Sequence, residues 1–351
     1  MLKKSLLALA VTAAAMPAIA SDSISGGFWV NHTIGNDDLT EATYGDTNYE
    51  ALILYIDKTD EESGWTFSSE MRYASGAFTD PANNNTGGHF GFHKAWIGKK
   101  FGAGQLTIGK SEVPFGWQSV NFWPGDGMMG GYGDQMDVGV KWSAEFGALS
   151  YDVAYFHVDD FGNSTETQDD GGHWGSKATY QKAQTFVGNV AYSVAKDQKV
   201  GVSYQNGRLR DLSDDDDMRP YNGDHNAAVA YYEGGFGDLG VKAQYMTTYR
   251  DLRGVGGVPQ QEVKNDRKAV TVTYTMGDYN FYVDYSNAES KTKDYKDVVG
   301  SADSYASGVS YNYGPGWFYL EYLSNDGDID ENGRVENGDD DAWFVTMDYY
   351  F

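Results

Sequence analysis

The strongest constraint on the fold is a regular rhythm of strand-like segments joined alternately by short turns and long loops. In the segment 65–74, apolar residues at positions 65, 67, 71 and 73 alternate with Thr66, Ser68, Glu70 and Arg72. Such period-two alternation is typical of a strand with one apolar and one polar face. We count sixteen such segments, with eight long loops and seven short turns between them. The rhythm predicts an antiparallel sheet with every turn at one end and every long loop at the other.

This sheet is expected to close into a barrel that spans a membrane. An open sheet edge in a bilayer would leave backbone donors and acceptors without water, so strands cross only as closed barrels. The richness in Gly, Tyr, Trp and Phe fits a β protein, and alternating faces explain why mean hydropathy is only -0.55. Sixteen strands leave an aqueous lumen that side chains do not fill. The predicted fold class is therefore an all-β transmembrane antiparallel barrel.

The N-terminus has the pattern of a secretory signal. Lys3 and Lys4 precede an apolar run from Ser5 to Met16, and Ala18-Ile19-Ala20 supplies a small-residue cleavage site. We therefore predict a signal peptide over residues 1–20 and a barrel over residues 21–351. The apolar run is shorter than the roughly 20 residues that a spanning helix requires.

The net charge and the absence of cysteine exclude several kinds of fold and of binding site. The formal charge of the chain is -25, and removal of Lys3 and Lys4 with the signal peptide changes it to -27. Binding to nucleic acid through a basic surface is therefore not expected. The absence of cysteine excludes a disulfide-stapled fold and metal sites built on cysteine.

The last strand alternates up to a terminal aromatic residue. Trp343, Val345, Met347, Tyr349 and Phe351 share one face. This ending resembles the C-terminal signature of Gram-negative outer-membrane barrels. The resemblance implies recognition by the barrel-assembly machinery and contact with outer-membrane lipid and lipopolysaccharide.

One long connection interrupts the rhythm at about residues 111–133. It follows a hairpin that contains Lys94-Ala95-Trp96-Ile97-Gly98 and Leu106-Thr107-Ile108-Gly109-Lys110. Loops of this length in compact proteins are usually functional. We predict that this loop folds into the barrel and narrows its pore.

The hairpin and the following Val113-Pro114-Phe115-Gly116 resemble the phosphate-selective porin O and P family. The resemblance covers some thirty residues. It implies a trimer of sixteen-stranded barrels, each with an inward loop. It also implies anion selectivity from Arg and Lys at the constriction, a property that does not transfer to this chain residue by residue.

The predicted pore-lining charges have both signs. Alternation assigns Arg72, Lys141, Lys242 and Arg250 to the inner face, together with Glu70, Asp137, Asp152, Asp284, Glu321 and Asp348. Lys110 shares parity with Leu106 and Ile108, so it either reaches the pore at the start of the loop or faces outward. The pore and constriction residues that we predict are Glu70, Arg72, Lys94, Lys110, Glu112, Trp117, Phe122, Trp123, Asp126, Asp137 and Lys141.

Two motifs have competing interpretations. Trp117, Phe122 and Trp123 either stack on sugar rings and aromatic solutes or pack the loop against the barrel wall. The last outer loop follows the spacing of a calcium loop. Its candidate ligands are Asp328, Asp330, Asn332, Glu336 and Asp339. The other interpretation is a solvated acidic loop that binds no metal, and no other cofactor is expected.

Taken together, these features predict a porin for passive diffusion of ions and small hydrophilic solutes. The net negative charge favours mild cation selectivity or weak selectivity. One alternative is a porin that prefers phosphate-like anions or sugars. A third hypothesis, a hydrolase at the barrel rim, is disfavoured because none of the histidines lies in a recognisable catalytic motif. His89 and His93 are four strand residues apart, roughly 13 Å, too far to bind one ion.

Overall fold

The computed structural model describes residues 23–36, 39, 44–74, 89–116, 120, 136–158, 180–211, 223–252, 261–292, 300–329, 335–338 and 341–351. The predicted signal peptide, residues 1–20, lies outside these ranges. Sixteen strands form one closed antiparallel barrel, as predicted. The barrel strands are β1 (Ser23–Gly35), β2 (Asp46–Asp60), β3 (Trp65–Ala74), β4 (His89–Phe101), β5 (Gly104–Glu112), β6 (Met136–Phe146), β7 (Leu149–Val158), β8 (Tyr180–Ala195), β9 (Gln198–Asp211), β10 (Gly223–Phe236), β11 (Leu239–Leu252), β12 (Gln261–Met276), β13 (Tyr279–Ser290), β14 (Gly300–Asn312), β15 (Trp317–Asn325) and β18 (Ala342–Tyr350). Two further strands, β16 (Gly327–Ile329) and β17 (Val335–Asn337), form a separate hairpin.

The two ends of the chain close the barrel. β1 pairs with β18 over nine residue pairs, from Gly27 with Tyr350 to Gly35 with Ala342. Beyond this ladder, Gly26 and Phe351 exchange two backbone hydrogen bonds of 2.9 Å each. The terminal aromatic residue therefore belongs to the seam that leaves no free sheet edge.

The two faces of the wall follow the predicted alternation. On β18, Trp343, Met347 and Tyr349 are exposed on the outer surface, whereas Thr346 and Asp348 are buried inside. This arrangement suits a barrel with lipid outside and polar groups inside. Among the described residues, no helix is long and apolar enough to cross a membrane.

The wall is taller on one side. β8 and β12 each contain 16 residues, and β9, β10 and β11 contain 14 each, whereas β5, β15 and β18 contain nine. The short hairpin of β16 and β17 was not predicted. Its three-residue strands stand apart from the barrel sheet, within the acidic loop between β15 and β18.

Candidate pore constriction

The segment after β5 turns into the barrel. Val113 and Phe115 are each 5% exposed and belong to a hydrophobic cluster on the inner wall. The wall residues of this cluster are Ala154, Phe156, Val187, Ala227, Val229, Met246 and Ala288. These residues come from β7, β8, β10, β11 and β13. The stem of the long loop, residues 113–116, is therefore held inside the barrel by burial of apolar surface.

Gly116 fixes the stem against β9 and β10. Its backbone N–H donates a hydrogen bond of 3.1 Å to Ser203 Oγ. Asn189 Oδ1 accepts hydrogen bonds from Ser203 Oγ at 2.8 Å and from Tyr231 Oη at 3.0 Å. A Cβ atom at position 116 would lie 2.3 Å from the Tyr231 ring. Only glycine allows so close an approach of the loop backbone to this ring.

Val120 extends the path to β13. Its backbone N–H donates a hydrogen bond of 3.2 Å to Asp284 Oδ2, and Thr271 Oγ1 donates to Asp284 Oδ1. The described part of the loop therefore starts at β5 and reaches β13 along the inside of the wall. The described residues 113–116 and 120 thus lie inside the barrel, and the narrowing of the pore by the whole loop remains a prediction.

Two of the predicted pore residues form an ion pair on β3. Arg72 Nη2 lies 2.7 Å from Glu70 Oε1, and the Arg72 guanidinium stacks on the Trp29 ring at 5.2 Å from its centroid. Both side chains belong to the buried inner face. Lys94 of β4 is the cross-strand partner of Glu70. Opposite charges therefore lie side by side here.

Other predicted residues support the loop stem or the wall beside it. Lys141 Nζ donates a hydrogen bond of 2.8 Å to the backbone carbonyl of Glu112, at the point where β5 ends. Asp137 is buried on β6, where it pairs across the sheet with Ser111. The Lys141 ammonium is thus positioned to hold the loop stem as well as to contribute charge to the lumen.

The structure resolves the ambiguity at Lys110. Lys110 is buried, although Ile108 of the same parity is exposed on the outer surface. Gly109 between them has a φ of 128°, a conformation that side chains rarely adopt. This local irregularity reverses the alternation, so parity is not a guide to the direction of Lys110. The charge of Lys110 acts on the ring of His93, the residue at which the pairing of β3 with β4 shifts register.

Several predicted residues lie outside the described part of the chain. Among the pore residues these are Trp117, Phe122, Trp123 and Asp126, and among the calcium ligands they are Asp330, Asn332 and Asp339. Asp328 and Glu336 are cross-strand backbone partners in the small hairpin of β16 and β17. Within the described residues, no group of three carboxylate or imidazole side chains is arranged to bind a metal. The roles proposed for these residues remain predictions.

Tyrosine–carboxylate bonds on the inner wall were not predicted. Tyr282 Oη donates a hydrogen bond of 2.7 Å to Glu321 Oε1, and Tyr319 Oη donates one of 3.2 Å to Asp348 Oδ2. Alternation had assigned both carboxylates to the inner face. The inward parity of the two tyrosines was the available signal. Glu321 lies two strands from Tyr282, across β14, and Asp348 lies on the strand next to Tyr319, in a register that the sequence does not specify.

The amino-acid sequence is similar to one known family of proteins. The sequence model of the Gram-negative porin family matches residues 202–351. No curated protein sequence matches the chain.

Solved outer-membrane proteins share the fold. The outer-membrane channel DcaP of Acinetobacter baumannii is 12% identical, with a TM-score of 0.66 over 96% of this chain and 99% of its own. OmpT of Vibrio cholerae in its trimer form is 13% identical, with a TM-score of 0.63 over 94% and 99%. An anion-selective porin from Comamonas acidovorans is 14% identical, with a TM-score of 0.61 over 94% and 99%.

The closed sixteen-stranded antiparallel barrel is thus the fold of outer-membrane porins. At these identities the structural likeness concerns the fold alone. Together, the family match and the fold support a location in the outer membrane of a Gram-negative bacterium.

Proposed function

We propose that this protein is a passive diffusion channel of the outer membrane for ions and small hydrophilic solutes. The observation that carries the proposal is the route of the loop, which is tied to β9 through Gly116 and to β13 through Val120. A sixteen-stranded barrel leaves an aqueous lumen, and a loop that runs inward along its wall narrows that lumen. The polar inner face supplies the wetted surface that such a channel requires.

Weak selectivity with a mild preference for cations fits the charges best. The chain has a formal charge of -25, which raises the local concentration of cations near the pore mouths. Within the lumen, however, charges neutralise one another. Glu233 lies 2.8 Å from Lys199 and 3.3 Å from Lys242, in addition to the Glu70–Arg72 pair. Paired charges produce a smaller net electric field in the pore than a ring of charges that all have the same sign, so they select less strongly between cations and anions.

A channel that prefers phosphate-like anions or sugars is the second candidate. It is favoured by the resemblance of the 94–116 hairpin to phosphate-selective porins and by the barrel shared with an anion-selective porin. The hydrolase hypothesis receives no support from the porin matches.

We extend the proposal to the surroundings of the barrel. A homotrimer is favoured because one of the structural relatives is described in a trimer form. The exposed aromatic and aliphatic outer face suits outer-membrane lipid, with lipopolysaccharide at the loop end. Phe351 at the seam fits delivery by the barrel-assembly machinery.

Planar-bilayer recording tests the proposal. Under a KCl gradient we expect steady conductance, a reversal potential shifted weakly toward cations, and no block when phosphate is added. Anion preference with block by phosphate would replace this account with the second candidate. Absence of conductance, together with hydrolysis in detergent that is abolished by one Asp or His substitution, would overturn the channel proposal.

A further inference from the structure

Both ends of the loop stem are attached to the inner wall. Just before the stem, Lys141 Nζ donates a hydrogen bond of 2.8 Å to the carbonyl oxygen of Glu112. At the end of the stem, the Gly116 N–H donates one of 3.1 Å to Ser203 Oγ. Both attachments lead to the same side chain on β7, the carboxylate of Asp152.

Two side chains on neighbouring strands connect Asp152 to the end of the stem. Asn189 on β8 is the cross-strand partner of Asp152 on β7 and of Ser203 on β9. Asn189 Nδ2 donates a hydrogen bond of 3.1 Å to Asp152 Oδ2, and Asn189 Oδ1 accepts one of 2.8 Å from Ser203 Oγ. The row of side chains therefore runs from the carboxylate to the oxygen that accepts the Gly116 N–H.

The same carboxylate acts at the first attachment. Asp152 pairs across the sheet with Ser143, which is two residues from Lys141 on the inner face of β6. Diagonal neighbours on one face of a sheet are about 7–8 Å apart, within reach of a long side chain. The charges of Glu112 and Asp152 both attract the Lys141 ammonium. Asp152 therefore helps to hold the start of the stem as well as its end.

The chemistry of the row fixes the direction of its hydrogen bonds. An ionised carboxylate accepts hydrogen bonds and donates none, so the NH2 group of Asn189 must face Asp152. The amide oxygen then faces the hydroxyl groups of Ser203 and Tyr231, and both donate to it. Because Ser203 donates its proton to the amide, its oxygen lone pairs are left for the Gly116 N–H. With the amide reversed, an oxygen would face the carboxylate and both hydroxyl protons would lose their acceptor.

Tyr231 extends the effect of the amide to the packing of the stem. The Tyr231 ring lies close to two glycines, Gly116 of the stem and Gly201 of β9, and a Cβ atom at either position would overlap it. Asn189 Oδ1 accepts the hydroxyl of this ring at 3.0 Å. Asn189 therefore holds both the Ser203 hydroxyl and the Tyr231 ring against which Gly116 rests.

We propose that Asp152 is a positioning residue of the constriction. Its carboxylate orients the Asn189 amide, and the amide holds the two wall groups that contact the end of the stem. The inference rests on the proposed function, because it assumes that the loop narrows a conducting pore. It deepens that function by assigning the position of the stem to a wall residue that reaches the loop through other side chains.

An exchange of two side chains tests the direction of the row. Asn189→Asp removes the NH2 donor and places two carboxylates face to face, so the stem should be displaced. Loss of one hydrogen bond to a charged acceptor shifts the equilibrium between the seated and the displaced stem by about tenfold or more. We expect a second conductance level and a changed ratio of disaccharide to monosaccharide permeation into liposomes. Adding Asp152→Asn restores a donor opposite the new carboxylate and should return both measurements to those of the unmodified barrel.

Asn280→Asp is the matched control. It introduces the same charge on the inner face of β13, where Asn280 Oδ1 accepts a hydrogen bond of 3.2 Å from Thr275 Oγ1 that an aspartate also accepts. This variant should change ion selectivity but not the sugar ratio, because neutral sugars carry no charge for the new carboxylate to act on. Equal changes in the sugar ratio for Asn280→Asp and Asn189→Asp would show that the row does not position the stem.

The exchange variant keeps the test decisive if Asn189→Asp alone does not fold. Heat-modifiable migration on gels reports folding, and the exchange variant is required to fold and to conduct as the unmodified barrel does. An exchange variant that fails to fold, or that keeps the displaced conductance level, would overturn the proposal. An unchanged sugar ratio in folded Asn189→Asp would overturn it as well. Absence of conductance in the unmodified barrel would instead contradict the proposed function, so the two failures are distinguishable.

Discussion

The backbone N–H of Val120 donates a 3.2 Å hydrogen bond to the Asp284 carboxylate, although 164 positions separate the two residues in the chain. Val120 belongs to the loop that leaves β5, and Asp284 lies on the inner face of β13. The contact therefore ties the loop to a wall eight strands away from where the loop begins. A hydrogen bond to a buried carboxylate is worth about 1.5–3 kcal/mol, enough to favour one loop position strongly.

Replacement of Asp284 should loosen the loop. In Asp284→Ala the acceptors of Val120 N–H and Thr271 Oγ1 are lost, so we expect larger and more variable single-channel conductance. Asp284→Asn retains one acceptor oxygen and serves as the matched control, with conductance closer to that of the unmodified barrel. Identical conductance in all three proteins would show that this contact does not position the loop.

A side chain at Gly116 should displace the loop stem. The Cβ of Gly116→Ala would lie 2.3 Å from the Tyr231 ring, so the stem or the ring must move. Such overpacking typically costs about 1–3 kcal/mol. We expect a lower urea midpoint for Gly116→Ala and partial recovery when Tyr231→Ala is added. Additive effects of the two substitutions would contradict the direct contact.

Removal of the Tyr282 hydroxyl should destabilise the barrel. Tyr282→Phe removes a 2.7 Å hydrogen bond to Glu321, whose carboxylate is 0% exposed. The expected loss in the free energy of unfolding is about 1.5–3 kcal/mol, measured by urea unfolding in lipid vesicles. Tyr279→Phe on the exposed face of the same strand is the control and should change stability little. Equal losses in the free energy of unfolding in the two variants would show that the Tyr282 hydroxyl does not stabilise the buried Glu321 carboxylate.

The Glu70–Arg72 pair should affect ion selectivity with opposite signs. Glu70→Gln removes the negative charge beside Arg72 and should shift the reversal potential toward anions. Arg72→Gln should shift it toward cations, and the double variant should return close to the original value. Breaking a buried pair is also expected to cost about 3–5 kcal/mol, so folding is checked by heat-modifiable migration on gels. Shifts of the same sign in both single variants would place the pair outside the conducting path.

Alternation predicted the barrel well because every strand faces lipid on one side and the lumen on the other. That requirement appears directly in β3 and β18, where outward Phe67 and Met347 alternate with inward Ser68 and Asp348. The alternation of short turns with long loops also predicts the direction of each strand, because all the turns lie at one end of the barrel and all the long loops at the other. The same argument predicts that Glu321 and Asp284 lie on the inner face, and both are buried there.

The contacts of the loop could not be predicted in this way. Ser203, Asn189 and Tyr231 look like ordinary inner-wall residues, and nothing in their spacing identifies Gly116 as their partner. The direction of Lys110 was ambiguous because a positive φ at Gly109 interrupts strict alternation. The β16–β17 hairpin was missed because three-residue strands are too short to show a period.

Cross-linking of Val120 to Asp284 tests the central claim, that the loop folds inward against the inner face of the barrel and leaves a conducting pore. The chain contains no cysteine, so Val120→Cys with Asp284→Cys provides a unique thiol pair. Val120→Cys with Glu70→Cys, which places the second thiol on β3, is the control pair. We predict that a short bifunctional thiol reagent links the first pair but not the control pair in the folded barrel, and that the linked protein still conducts in a bilayer. Failure to link the first pair, or loss of conductance once it is linked, would contradict the account.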